Sequence, residues 1–478
     1  MVHLVINLKI KFTDMSYPKS LPYIIANEAA ERFSFYGMRS ILTTFLVLQF
    51  FNPTLNPLLQ SVAEAKANEA THFFVSLAYA VPFLGAIAAD WFFGKYRVIL
   101  WISILYCVGH LLLAVYDKNL DMFRLGLIII AIGAGGIKSC VSANVGDQFN
   151  SSNMHLLSRV YSWFYFAINA GSALSTLLIP IIYAAYGPKW AFGIPGILMA
   201  ISTVIFILGR KTYVRVPASG IRRDNFVFIS VYALTHFYKK KKGEALLDVA
   251  KEKFNPEKVE DIKAAYRVIG VFSFIPIFWS LWDQNLSEWV LQAGKLDRHI
   301  FGYELLPQQI QTVNPFFLLA LIPVFNYVIY PFFERLGIKA TPLRRIGGGL
   351  VLIVCSFTII ALVQTGVDNG NHPTVWWQVF AYVFLAAAEV MVSITCLEYA
   401  YTQSPASMKS TMGAIWLLTI AVGNIITALI NRSISNHGFF ASLNGANYYW
   451  FFIGLMTLVI IIYLIVSPRI KEHSYIKD

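Results

Sequence analysis

The sequence predicts an all-α integral membrane protein, and two observations lead to it. Of 478 residues, 57% are hydrophobic and only 13% charged, too little polar surface to cover a soluble globule. The apolar residues also fall in runs of about 20, the length that crosses a bilayer as a helix. About twelve such runs can be read, six on each side of a polar middle segment.

The first run, 21–50, carries N-E-A-A-E-R-F-S-F-Y-G-M-R, Asn27 to Arg39. At about 100° per residue, Glu28, Glu31, Arg32, Phe35, Tyr36 and Arg39 fall within an arc of roughly 140°. A charge at mid-bilayer costs at least a few kcal/mol, so this face is expected to meet a watery cavity or a partner, a static ion pair between helices being the bland alternative. The next runs are 69–93, 97–116, 122–147, 158–183 and 188–209. The second ends in G-A-I-A-A-D-W-F-F-G-K-Y-R (Gly85 to Arg97), whose small residues let helices approach. There Asp90 is expected to hold Lys95, Arg97 or a neighbouring helix end, as a conformational latch. The stretch resembles the signature loop of major facilitator proteins.

A basic connector follows, with R-R-D, K-K-K-K and K-E-K-F-N-P-E-K. Its apolar piece, Phe226 to Tyr238, is too short to span and is flanked by cations, which predicts an interfacial helix. The remaining runs are 263–292, 310–334, 343–366, 374–403, 412–434 and 446–466. The expected organisation is a tail (1–20), a six-helix bundle (21–209), a linker (210–262), a second six-helix bundle (263–466) and a tail (467–478). Six plus six is the layout of a transporter that exposes a central site alternately to either side.

Lys95, Arg97, Arg159, Arg210 to Lys242, Arg335 to Arg345, Lys409, Arg469 and Lys471 all fall on one side of these spans, predicting cytoplasmic termini. The net charge of +12 reads as topology plus attraction to anionic lipid; no compact basic domain suits nucleic acid. Cys107, Cys140, Cys355 and Cys396 lie in separate spans without paired spacing and are expected to be reduced packing residues. No cleaved leader is expected, and Met15 is an alternative start. There is no cofactor fingerprint, metal-ligand cluster or exposed nucleophile beside a base, so neither an enzyme nor a cofactor is expected. His110 reads as incidental.

E-A-A-E-R-F-S-F-Y-G resembles the E-x-x-E-R-F-x-Y-Y-G motif of the proton-dependent oligopeptide transporters, a branch of the major facilitator superfamily. G-A-G-G-I-K-S-C-V-S-A-N-V-G-D-Q-F (Gly133 to Phe149), W-F-Y-F-A-I-N-A-G-S (Trp163 to Ser172) and L-E-Y-A-Y-T-Q-S-P-A-S-M-K-S (Leu397 to Ser410) are similar to the family's fourth-, fifth- and tenth-helix motifs. His72 to Asp90 is similar to mammalian intestinal members, including the histidine at its outer end. The resemblance covers 21–466 and implies a major facilitator fold with proton-driven import of di- and tripeptides.

It also implies roles. Arg32 and Lys138 would bind the peptide carboxylate, with hydroxyls of Tyr36 and Tyr79 nearby; Asn169, one turn after Tyr165, would bond the peptide backbone. Glu398 with Asn314 would take the ammonium. Trp279, Phe278, Trp416 and Ser393 would wall the side-chain pocket, packing being the competing role for each. Glu28 and Glu31 beside Arg32 would carry protons, a protonated Glu31 releasing Arg32 to the substrate, and His72 would be a second acceptor. Arg39 with Asp283 would close the periplasmic gate and Lys138 with Glu398 would draw the halves together nearer the cytoplasm.

Departures from the pattern matter. Phe35 replaces the first Tyr of the usual pair and Ser139 follows Lys138 where Pro is common. Asn326 stands where mammalian members carry Asp, so the bridge they make to Arg267 is not implied here. Glu389 is an additional intramembrane carboxylate, fit for proton coupling or for a local bond. V-D-N-G-N-H-P (Val367 to Pro373) stands in place of a large extracellular insertion, and the connector lacks two extra spans; a compact, monomeric bacterial inner-membrane member is expected. Nitrate or other anion transport and drug export are the alternatives. Retention of Glu28, Glu31 and Glu398 favours a substrate bearing an ammonium, and opposite charges at its two ends suit a zwitterion.

Overall fold

A bilayer interior offers no water, so a chain entering it closes each backbone N–H within its own helix. The computed structural model describes residues 17–52, 54, 59–150, 153, 156–218, 220–221 and 224–470; Met15 and Lys471 lie outside them. The first half of the chain forms α1 (Leu21–Phe45), α2 (Gln60–Ala88), α3 (Lys95–Val115), α4 (Leu120–Asp147), α5 (Leu157–Tyr186) and α6 (Pro188–Leu208), and the connector forms α7 (Phe226–Thr235). The second half forms α8 (Pro256–Phe272), α9 (Ile275–Trp282), α10 (Glu288–Ala293), α11 (Val313–Val324), α12 (Tyr330–Arg335), α13 (Pro342–Asp368), α14 (Trp376–Glu389), α15 (Thr395–Gln403), α16 (Lys409–Ser435) and α17 (Ala446–Val466).

Among the described residues ten helical segments are long and apolar enough to cross a membrane, and a pair bent by 44°, Pro256–Phe272 with Ile275–Ala293, makes an eleventh. The twelfth expected span is α1, whose apolar content is diluted by Glu28, Glu31, Arg32 and Arg39. Pro276 lies in the first turn of α9, where a missing N–H is harmless, and marks the bend. A 3-10 turn, Asp283–Leu286, then interrupts the ladder, so that D-Q-N-L-S is buried in a broken helix.

Single π turns occur at Leu46–Phe50, Ala89–Phe93, Phe325–Ile329 and Val390–Ile394. Each inserts one residue and turns the helix beyond it by about 100°. Asp90 lies inside the second, and Glu389 is the last residue before the fourth. A two-residue hairpin, β1 (His299–Ile300) and β2 (Tyr303–Glu304), pairs antiparallel with Ile300 opposite Tyr303.

The chain packs as two compact units. The first comprises the residues up to Met38 with Leu84–Gly220. In it α3 lies along α4 and α6. Gly171 of α5 admits α1: a Cβ there would stand 2.8 Å from the Ala29 carbonyl oxygen.

The second unit comprises Arg39–Phe83 with Ile221 onward. Here α13 packs on α14 and α17, around a core that includes Phe278, Trp289, Phe357, Tyr382 and Tyr449. Gly423 of α16 lies against α9, where a Cβ would collide with the Pro276 carbonyl and stand 2.9 Å from the Ser280 nitrogen. The division falls within α1 because Arg39, Thr43 and His72 are bonded to partners in the second unit.

In the connector, Asn225 caps α7 by accepting from the Phe228 N–H at 3.0 Å. The helix buries Ile229 and Ala233 and exposes Val231 and Leu234. Asp248 accepts from Lys251 at 2.7 Å and from Lys263 at 2.5 Å, and these bonds hold its carboxyl well below the usual range. All four cysteines are free, and no metal-ligand group occurs among the described residues.

Candidate functional site

In the first unit, α1 presents its charges as a shared system. Arg32 Nε donates to Glu28 Oε1 at 2.7 Å and lies 3.3 Å from Glu31 Oε2, so one guanidinium serves two carboxylates. Both glutamates are buried, whereas Arg32 keeps 13% of its side chain accessible. Neither carboxylate oxygen of Glu31 accepts a hydrogen bond. The Lys138 ammonium stands 3.4 Å from the centroid of the Phe35 ring, a cation–π contact. Phe35 in turn meets the Tyr36 ring edge-on, at 5.5 Å between centroids.

On α5 the Asn169 side-chain amide donates to the Tyr165 carbonyl at 2.9 Å, one turn back. Tyr165 itself is exposed, on an open groove with Tyr161, Phe164 and Ile168. Lys95 is held by Asp147 at 2.8 Å, where the sequence offered Asp90; Asp147 belongs to the G-D-Q-F end of α4. Asp90 is exposed in its π turn.

In the second unit, Arg39 donates to Asp283 Oδ1 at 2.5 Å, and both side chains are almost fully buried. Asn424 Nδ2 donates to the other oxygen, Asp283 Oδ2, at 2.6 Å. The Asn424 oxygen is thereby left to accept from His72 Nδ1 at 2.8 Å, while His72 Nε2 meets the Ser287 hydroxyl at 2.9 Å. These bonds assign the proton of a neutral His72 to Nδ1. Ser287, His72, Asn424, Asp283 and Arg39 thus form one buried chain.

Asn314 Nδ2 donates to Glu389 Oε2 at 3.2 Å. Glu398, expected beside Asn314, is instead 3.3 Å from Arg345, with 45% of its side chain accessible. Arg345 also lies over the Tyr330 ring, at 4.3 Å. Trp279 meets Trp282 at 5.4 Å and Trp416 at 5.8 Å, edge to face. Tyr79 is partly buried against the same core.

A family model described as the POT family matches residues 96–451. The chain belongs to the POT family. It is 35% identical over 407 residues to rat "Solute carrier family 15 member 2", covering 81% of this chain and 54% of that protein. It is 37% identical over 390 residues to "Peptide transporter family 2" of Caenorhabditis elegans, covering 74% of this chain and 48% of that one. The chain thus spans about half the length of these curated relatives. Among solved structures it is similar to the POT family transporter PepTSo, with a TM-score of 0.88 and 34% identity over 95% of this chain and 99% of that one. The POT fold is therefore established here, a multi-pass membrane protein of the major facilitator type, and these relatives are transporters rather than enzymes.

Within this POT chain several partners were not read from the sequence. Asn424 and Ser287, which join His72 to Asp283, sit in apolar or mixed stretches with no motif; the only signal was a lone Asn mid-span. The Phe35 ring, expected only as a lost hydroxyl, is the contact surface of Lys138. Lys138 and Glu398 lie in different units, and each has a contact inside its own.

Proposed function

We propose that this chain is a proton-coupled symporter that imports di- and tripeptides by alternating access. The single observation that carries the reading is Arg32 shared between Glu28 and Glu31. A guanidinium with two carboxylates is over-supplied, so protonating Glu31 weakens one claim on it and leaves it open to a substrate carboxylate. Lys138 adds a second cation on the same unit, and Asn314, Glu389 and Glu398 supply acceptors on the other. Fixed groups of opposite sign match the ends of a short peptide whatever its side chains, with Tyr36, Tyr79, Tyr165 and Asn169 as polar contacts and Trp279 and Trp416 as pocket walls.

Binding that favours one conformation over another is what drives a switch. Arg39 with Asp283 serves as the periplasmic gate, Lys138 with Glu398 as the opposing one, and Asp90 with Gly85 to Arg97 as a latch. His72 is a second proton site. The six-plus-six division at the connector, an inner-membrane location, cytoplasmic termini and a monomeric state complete the proposal, the basic loops supporting the orientation. One proton moving inward supplies roughly 2.3 kcal/mol per 100 mV and about 1.4 kcal/mol per pH unit. One-to-one coupling then sustains accumulation on the order of a few hundredfold.

The test is labelled dialanine uptake into liposomes under an inward proton gradient, alongside counterflow without one, for the natural protein and Glu31→Gln. Gradient-driven uptake lost in the variant with counterflow kept is the expected result. No uptake and no competition by other short peptides would move nitrate or drug-like substrates to the front.

A further inference from the structure

The sequence marks His110 as incidental, and the structure puts it in company. On α3, Ser103, Tyr106 and His110 stand at i, i+3 and i+7, within an arc of about 60°, and all three are fully buried. Each has a polar atom without a hydrogen-bond partner among the described residues: the Ser103 hydroxyl, the Tyr106 hydroxyl and His110 Nε2. The other His110 nitrogen, Nδ1, lies 3.2 Å from the Phe192 carbonyl of α6. A carbonyl only accepts, so Nδ1 carries the proton and Nε2 offers a lone pair. The Tyr106 and His110 rings meet at 5.0 Å between centroids.

The same seam reaches α1. Asn27 Nδ2 donates to the Ser202 hydroxyl of α6 at 2.9 Å and leaves its own Oδ1 unpartnered, and both Glu31 oxygens lack a donor among the described residues. The Glu31 and Arg32 charges bear on the Tyr106 phenol, so the polar column on α3 ends against the α1 carboxylate. Glu28, Arg32 and Lys138 are the charged groups facing Glu31, whereas His110 faces Tyr106, the Phe192 carbonyl and Gly196. Left dry, this many orphaned polar atoms would cost a large share of a fold's stability. Internal water, making about two to four hydrogen bonds per molecule, satisfies them together.

We propose that the α1–α3–α6 seam holds a file of internal water running from His110 past Tyr106 to Glu31, a proton route inside the first unit. It rests on Glu31 being the proton carrier, as proposed above, and is separate from the His72–Asn424–Asp283 chain, which belongs to the second unit. His110 is a positioning residue: its Nε2 lone pair accepts from the first water of the file and fixes it. Tyr106 relays, its oxygen taking a proton from one water as its own proton passes to the next. The last hop leaves Glu31 as the neutral acid and the waters reoriented.

Two measurements test this. X-ray hydroxyl-radical footprinting of the full chain in detergent oxidises side chains that touch bound water. Tyr106 should label at least fivefold faster than Tyr382, which is also buried but is bonded to the Asn285 carbonyl; equal labelling overturns the water file. In liposomes, His110→Leu and Tyr106→Phe should lower gradient-driven dialanine uptake fivefold or more, together with the proton influx read by an enclosed pH dye, while counterflow stays within twofold. His110→Gln, which keeps a donor for Phe192 and an acceptor for water, should stay near the natural protein. Gradient-driven uptake unchanged in both the Leu and Phe variants overturns the route, and so does a parallel loss of counterflow, which marks a packing role. If the natural protein shows no gradient-driven uptake, the coupling reading itself falls, and the route with it, whatever the labelling shows.

Discussion

Two arginines sit seven positions apart on α1 and live in opposite circumstances. Arg32 is divided between Glu28 and Glu31 and keeps some accessible surface, whereas Arg39 is committed to one carboxylate, Asp283, and is almost completely enclosed. On the carboxylate side of Arg39 both oxygens are taken: Asn424 occupies the second oxygen of Asp283 and His72 occupies Asn424. Around Arg32 the balance is open, with the second cation, Lys138, resting on an aromatic face. A divided cation can change partners at little cost. One committed to a single buried carboxylate holds its elements together until that chain of bonds lets go.

The largest effect should come from breaking the closed system. In Arg39→Ala the Asp283 carboxylate stays buried without its cation, a loss of about 3 to 5 kcal/mol, whereas removing both charges in Arg39→Ala with Asp283→Ala should recover part of it. Thermal unfolding in detergent checks this. Additive losses would mean that the two side chains do not depend on each other.

A smaller effect should come from the open system. Phe35→Leu removes a cation–π contact of about 0.5 to 2 kcal/mol, which lets Lys138 fall toward Glu31, and Glu31 then competes with the substrate carboxylate. The dialanine KM should rise several-fold in counterflow, and Phe35→Tyr, which keeps the ring face, should stay near the natural value. Equal KM values in Leu and Tyr variants would show that the ring face holds nothing.

The smallest effect lies outside the membrane and gives the comparison a control, a partly exposed ion cluster with little at stake. Asp248 titrates below its ordinary range because Lys251 and Lys263 bond to it. Its contribution is therefore present in full above the unfolded carboxyl pKa of about 3.9 and is lost as pH falls below that. Amide exchange across 246–252 should be flat from pH 5 to 8, after correction for intrinsic rates, and in Asp248→Asn modestly faster throughout that window. A steep change near neutral pH would point to another group.

Apolar runs are legible because the bilayer leaves no alternative to helices, and the charged face of α1 is legible because charge in such a run is costly. Pair identities are less so. Lys95 could be matched with Asp90 by proximity in sequence, but the structure joins it to Asp147, at the far end of the α3–α4 pair. Asn314 was matched with Glu398 and is bonded to Glu389 because cross-helix partners depend on rotation about each axis. That rotation is altered by the π turn Val390–Ile394, a defect in the hydrogen-bond ladder that leaves no trace in composition. Asn424 was invisible for a related reason: an amide in an apolar run announces polarity without naming its mate.

The same π turn ties function to chain length. Nine residues separate Glu389 from Glu398, which in an unbroken helix would put them about 180° apart; the inserted residue reduces this to roughly 80°. Deleting one residue there would remove the π turn and leave the two carboxylates roughly 80° apart, whereas straightening the turn at full length would send them to opposite faces. What fixes the facing of the two glutamates is thus the pairing of residue number with the π turn: losing one residue together with the turn preserves it, and losing the turn alone does not.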